Sequence, residues 1–96
     1  MAAPLDAEAR SAFTLAHPAW TLSGEIATRT LAFTDFAEAI GFVNRVALVA
    51  EKVDHHPDID IRYTKVSCHL STHSAGGITK KDFALAEGID GAFRDE

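Results

Sequence analysis

The chain has 96 residues, 47% hydrophobic and 24% charged, the profile of one globular domain over residues 1–96 rather than of a disordered or multidomain protein. Nine Lys+Arg stand against fourteen Asp+Glu, a formal net charge of −5 with no basic run, which speaks against direct binding to a nucleic-acid backbone. A single cysteine, Cys68, excludes an intrachain disulfide and any CxxC motif. No secretion signal is visible, and no apolar run approaches the ~18 residues of a membrane span, so a cytoplasmic protein is expected.

The first predicted element is a helix opening after Pro4 and Asp6, with Leu5, Ala9, Ala12, Phe13 and Ala16 at helical spacing and His17-Pro18 as its end. Trp20-Thr21-Leu22 reads as a short strand and Ser23-Gly24 as a turn. The β-branched and aromatic run from Ile26 to Phe33 then pairs back as a second strand. Thr34-Asp35 offers the N-cap of the longest helix, which runs to about Lys52. Two apolar stripes lie side by side on it, Phe36, Ile40, Val43, Ala47 and Ala50 next to Phe42, Val46, Val49 and Val53. Together they cover more of the wheel than a one-sided surface helix needs, so the second stripe is assigned to a subunit interface, from which so short a chain would gain.

Pro57 ends that helix. Ile59, Ile61 and Tyr63 alternate on odd numbers, then Val66, Cys68 and Leu70 on even ones, so a bulge or turn is needed near Thr64-Lys65. After a loop at Ser74-Ala75-Gly76-Gly77, Thr79 caps a last helix, with Asp82 in a variant of the capping box and Phe83, Leu85, Ala86 and Ile89 on the apolar side. From Gly91 onward this helix is expected to fray. The order α-β-β-α-β-β-α describes an α+β two-layer sandwich, a four-stranded antiparallel sheet with three helices on one face.

Five histidines are many for this length, and His55, His56 and His73 fall in or beside loops, where catalytic side chains concentrate. Acidic neighbours Glu51, Asp54 and Asp58 surround the first two, and Glu51, four residues before His55, would share its side of a helix. Such neighbours favour the imidazolium form, which donates protons; the plainer alternative is a solvated helix end in which His55 caps free carbonyls. A zinc site is disfavoured because no HxH or HExxH spacing occurs and adjacent histidines in an extended turn point apart. His69 should face away from Cys68 and Leu70, His17 should serve as a terminal cap, and Cys68 should be core rather than nucleophile. Gly76-Gly77 lacks the context of a phosphate loop.

The constellation Glu51-x3-His55-His56-Pro57-x5-Tyr63-x9-His73-x8-Asp82 resembles the signature of the pterin-4a-carbinolamine dehydratases. Arg45-Val46-Ala47-Leu48, Leu70-Ser71-Thr72-His73, Gly77-Ile78-Thr79 and Leu85-Ala86 agree with it, as do the aromatics Trp20 and Phe33, so that the likeness spans residues 5–90. The resemblance implies a hydro-lyase that removes water from 4a-hydroxytetrahydropterin to give quinonoid dihydropterin, with no metal, nucleotide or redox cofactor. On this resemblance the product would return to the tetrahydropterin cycle of an aromatic amino-acid hydroxylase, its implied functional partner. By the same resemblance His55, His56 and His73 are the catalytic set, with His55 and His73 as the acid/base pair. Glu51, His56 and Asp82 bind substrate: His56 orients the pterin with support from Glu51, and Asp82 fixes His73 or meets the polar pterin edge. The family implies a homodimer through sheet edges or a homotetramer through the long helices. Animal members also stabilise a transcription-factor dimer, so a protein-interaction module acting through the long helix is the alternative.

Overall fold

A computed structural model describes residues 3–94. The elements in chain order are α1 (Ala7–Ala16), β1 (Thr21–Ser23), β2 (Ile26–Ala32), α2 (Phe36–Val53), β3 (Asp58–Arg62), β4 (Lys65–Leu70), a 3-10 turn at His73–Ala75, and α3 (Lys80–Arg94). The sheet is antiparallel throughout, in the order β1-β2-β4-β3. This is the expected α+β sandwich. Each strand turns one side to the helices: Ala27 and Leu31 of β2 and Val66, Cys68 and Leu70 of β4 are buried, as the period of two requires. The opposite face carries Thr28, Thr30, Ser67 and His69, with cross-strand bonds Thr30–Ser67 at 2.8 Å and Thr28–His69 at 3.0 Å. His69 therefore points away from Cys68 and Leu70, as read from its parity.

Local chemistry sets the element ends. Asp6 and Asp35 are the N-caps of α1 and α2, accepting from the backbone N–H of Ala9 and Glu38. Glu38 reaches back to the Thr34 N–H at 3.0 Å, completing the α2 start. Gly24, at φ +60°, supplies the first residue of the two-residue turn between β1 and β2. The parity switch between β3 and β4 is a hairpin turn rather than a bulge: Ile61 faces Val66 and Arg62 faces Lys65 across Tyr63-Thr64, with Tyr63 at φ +56°. An odd-to-even change of parity is what pairing across a two-residue turn produces.

Two expectations are corrected. The stripe assigned to a subunit interface faces this chain's own core: Phe42 and Val46 are fully buried, and Val49 and Val53 pack against the core. The closeness of α3 is the reason. A Cβ placed on Gly88 would lie 2.4 Å from Val49 Cγ1, so the missing side chain lets the two helices approach. Of the large apolar residues of α2, Phe36 and Leu48 remain exposed instead. Second, α3 does not fray at Gly91 but runs to Arg94. Its last turns are held by Phe93, whose ring meets those of Phe33 and Phe42 at 5.8 and 6.1 Å and lies under the Arg29 guanidinium.

Candidate active site

The corner where α2 ends is built by chain reversal. Asp54 takes the left-handed conformation, φ 55°, that commonly stops a helix, and its N–H bonds Ala50 O. The His55 N–H also reaches Ala50 O, at 3.2 Å. Pro57 bars further helix. The two histidines leave this corner in different directions: His55 Nε2 turns inward to Asp82 Oδ1 at 2.6 Å, and His56 Nε2 turns outward to Glu51 Oε2 at 2.5 Å. The His55 side chain is 13% exposed, that of His56 58%.

Asp82 is fully buried in the first turn of α3. Its Oδ2 accepts the Thr79 N–H at 2.9 Å, and the Thr79 hydroxyl accepts the Lys81 N–H at 3.2 Å. The expected capping box is thus present, and it has a second use. The same Oδ2 accepts the Thr72 hydroxyl at 2.7 Å, which lies 2.7 Å from Thr79 Oγ1 and 3.5 Å from His55 Nε2. Thr72 follows β4 and begins a loop closed by a bridge between Thr72 and Gly77. His73 is the next residue, so a chain step of about 3.8 Å separates its Cα from that of a residue touching His55; its side chain is exposed. Segments from α2, β4 and α3 thereby converge on one imidazole.

The sequence reading and this geometry differ at two places. Helical spacing sets Glu51 beside His55, but the helix stops at Val53 and Glu51 pairs with His56. Asp82 is expected on His73 or at a pterin edge. Instead it is sealed beneath His55, with both oxygens taken by His55, Thr72 and Thr79. Tyr63, though part of the signature, stacks on Phe36 at the far end of β3. The hydroxyls of Thr72 and Thr79 had no assigned role at the site; their signal was available only as two threonines bracketing a Gly-rich loop before Asp82.

Other candidates fall away from this corner. The His17 backbone N–H does end α1 on Phe13 O, but its ring enters the core, 3.0 Å from Asp90. Cys68 is fully buried and burial pushes its thiol up to about 11, so it is not a nucleophile near neutral pH. A groove of about 690 Å³ lined by Arg10, Thr14, Leu15 and Leu22 contains none of the histidines. Among the described residues, no group of three His, Cys, Asp or Glu is placed to hold a metal, and no helix is long and apolar enough to cross a membrane.

What the corner offers is proton chemistry: a partly open imidazole, His55, backed by a buried acceptor, with the exposed His56 next in the chain and the exposed His73 following Thr72. Comparison with known proteins agrees on the family. The family model described as pterin 4 alpha carbinolamine dehydratase matches residues 3–92. A protein of Chloroflexus aurantiacus, provisionally named pterin-4-alpha-carbinolamine dehydratase, is 53% identical over 73 residues, 76% of this chain and 78% of its own. One of Mycobacteroides abscessus with the same provisional name is 56% identical over 73 residues, again 76% and 78% of the two chains. The crystal structure of a transcriptional coactivator/pterin dehydratase from Brucella melitensis superposes with a TM-score of 0.87 at 34% identity, covering 93% of this chain and 97% of that one. A pterin dehydratase-like RuBisCO assembly factor of the alpha-carboxysome shares the fold, with a TM-score of 0.61 at 22% identity over 76% and 84% of the two chains. The chain belongs to the pterin 4 alpha carbinolamine dehydratase family, a family of hydro-lyases.

Proposed function

We propose that the protein dehydrates 4a-hydroxytetrahydropterin to quinonoid dihydropterin by histidine acid/base catalysis. The C4a–O bond breaks as the N5 lone pair forms the C4a=N5 double bond. One imidazolium gives its proton to the departing hydroxyl, which leaves as water, and one neutral imidazole takes the proton from N5. After a proton exchange with solvent both groups return to their starting forms. His55 and His73 are the pair in this reading, while His56, braced by Glu51, orients the pterin. Positioned proton transfer of this kind contributes about 10²–10⁴-fold, a useful gain for a step whose leaving group is poor unless protonated.

The observation that carries the reading is the 2.6 Å contact of His55 with a fully buried carboxylate, with His56 next to His55 in the chain and His73 next to Thr72, whose hydroxyl lies 3.5 Å from His55 Nε2. Recycling of tetrahydropterin for an aromatic amino-acid hydroxylase, a cytoplasmic setting and assembly into homodimers or homotetramers belong to the same proposal. The interaction-module alternative loses the stripe that motivated it. Val46 is fully buried, so Val46→Asp would test folding rather than docking.

The test is stopped-flow decay of freshly made carbinolamine. The wild type should exceed buffer, and His55→Ala or His73→Ala should cut turnover by at least about tenfold with the fold intact. Wild-type decay no faster than buffer refutes the proposal.

A further inference from the structure

Resting on that reading, the hydrogen bonds around Asp82 allow one step more, to the atom of His55 that carries the proton. The directions of the bonds are fixed by what each group can do. The Lys81 N–H donates to Thr79 Oγ1. The Thr79 hydroxyl proton then has Thr72 Oγ1, 2.7 Å away, as its acceptor. The Thr72 hydroxyl in turn donates to Asp82 Oδ2, which also receives the Thr79 N–H. This is the arrangement in which every hydroxyl proton of the chain is placed, with Asp82 Oδ2 accepting twice; as a carboxylate, Asp82 is an acceptor at Oδ1 as well. Its Oδ1 faces His55 Nε2 at 2.6 Å. An acceptor-only oxygen at that distance demands a proton on Nε2, whether the ring is neutral or charged. Nδ1 is then the nitrogen that gains and loses the exchangeable proton, and it has no hydrogen-bond partner among the described residues.

We propose that Thr72 and Asp82 are positioning residues that hold His55 as the Nε2–H tautomer, making Nδ1 the nitrogen that exchanges protons with the pterin. Thr72 sets the direction of the chain: without its hydroxyl, Thr79 O–H loses its acceptor and Asp82 Oδ2 loses a donor. The carboxylate is then held at Oδ2 by the Thr79 N–H alone, and its hold on the orientation of His55 is weaker.

The resting protein provides the first measurement. Long-range ¹⁵N–¹H spectra of the full chain, taken where the ring is neutral and without ligand, should show His55 protonated at Nε2; protonation at Nδ1 overturns the proposal. Thr72→Val should raise the share of the other tautomer and lower kcat about tenfold with KM within about twofold, and Thr72→Ser should restore both. Equal loss in the valine and serine variants, or none in either, also overturns it. If Thr72→Val does not fold, the wild-type spectrum decides alone. An inactive wild type that shows the Nε2–H form refutes the dehydratase reading and supports the tautomer assignment, so the two failures are distinguishable.

Discussion

Two aspartates on α3, Asp82 and Asp90, are eight residues apart, buried, and each bonded to a histidine from another element. Their histidines are almost equally enclosed, the side chains of His55 and His17 being 13% and 10% exposed. Burial and pairing therefore do not tell a chemical site from a structural one; the surroundings do. Asp90 is surrounded by donors that hold the fold together, receiving His17 Nδ1, Trp20 Nε1 at 2.8 Å and the Arg29 guanidinium at 2.5 Å. The His17 ring is walled by Phe13 and Phe83, at centroid distances of 5.4 and 5.0 Å. That knot ties α1, the first hairpin and α3, and every charge in it has a partner. Asp82 has no lysine or arginine partner among the described residues. The Thr72 hydroxyl and the Thr79 backbone N–H hold it, and its histidine is followed in the chain by the exposed His56.

The sharpest way to break this contrast is Asp90→Ala. It leaves the Arg29 charge, 18% exposed, without its partner, and should lower unfolding stability by about 3–5 kcal/mol in urea titration. Turnover per folded molecule should stay near wild type, the reverse of the pattern expected for His55→Ala. A stable but inactive Asp90 variant would move that knot into the chemical site.

Cys68 sharpens the point with a buried titratable group that is neither tied nor used. Burial raises its pKa from 9.0 to about 11, so its contribution to stability is complete below pH 9. Between pH 9 and 11 the unfolded chain loses the thiol proton while the folded one keeps it. Stability should fall there by about 1.4 kcal/mol per pH unit from this group alone. Denaturation across that window should show the slope, and Cys68→Ala should remove it.

The smallest effect is expected at the exposed pair of the corner. Glu51 and His56 side chains are 74% and 58% exposed, so Glu51→Gln should change stability by no more than about 1 kcal/mol. Thermal melts check this. A larger loss would mean that the outer face of the corner is held as firmly as the Asp90 knot.

Much of this was legible from local chemistry. Aspartate caps, the Ser23-Gly24 turn and the proline stop at 57 mark the elements, and parity identified which residues of β4 face inward. Membership of His55, His56 and His73 in one set rested on spacing that matches a family. The roles of His17 and Asp82 were not legible, because both depend on which distant side chain a buried polar group finds. Nor was the true surface of α2 legible, since two apolar stripes on one helix are equivalent until a partner packs on one of them.

By itself the sequence determined the order of elements, the antiparallel hairpins and the inward parity of the strands. These are set by φ/ψ preferences and side-chain period, which act over a few residues. Tertiary structure decided that Val46 is core and Phe36 surface, that Asp90 neutralises Arg29, and that Asp82 lies under His55. Each of these is a contact between residues 27 or more positions apart, or the burial that such packing produces. A buried charge or amide must find its partner wherever the packed chain brings one, and no local rule names that partner in advance.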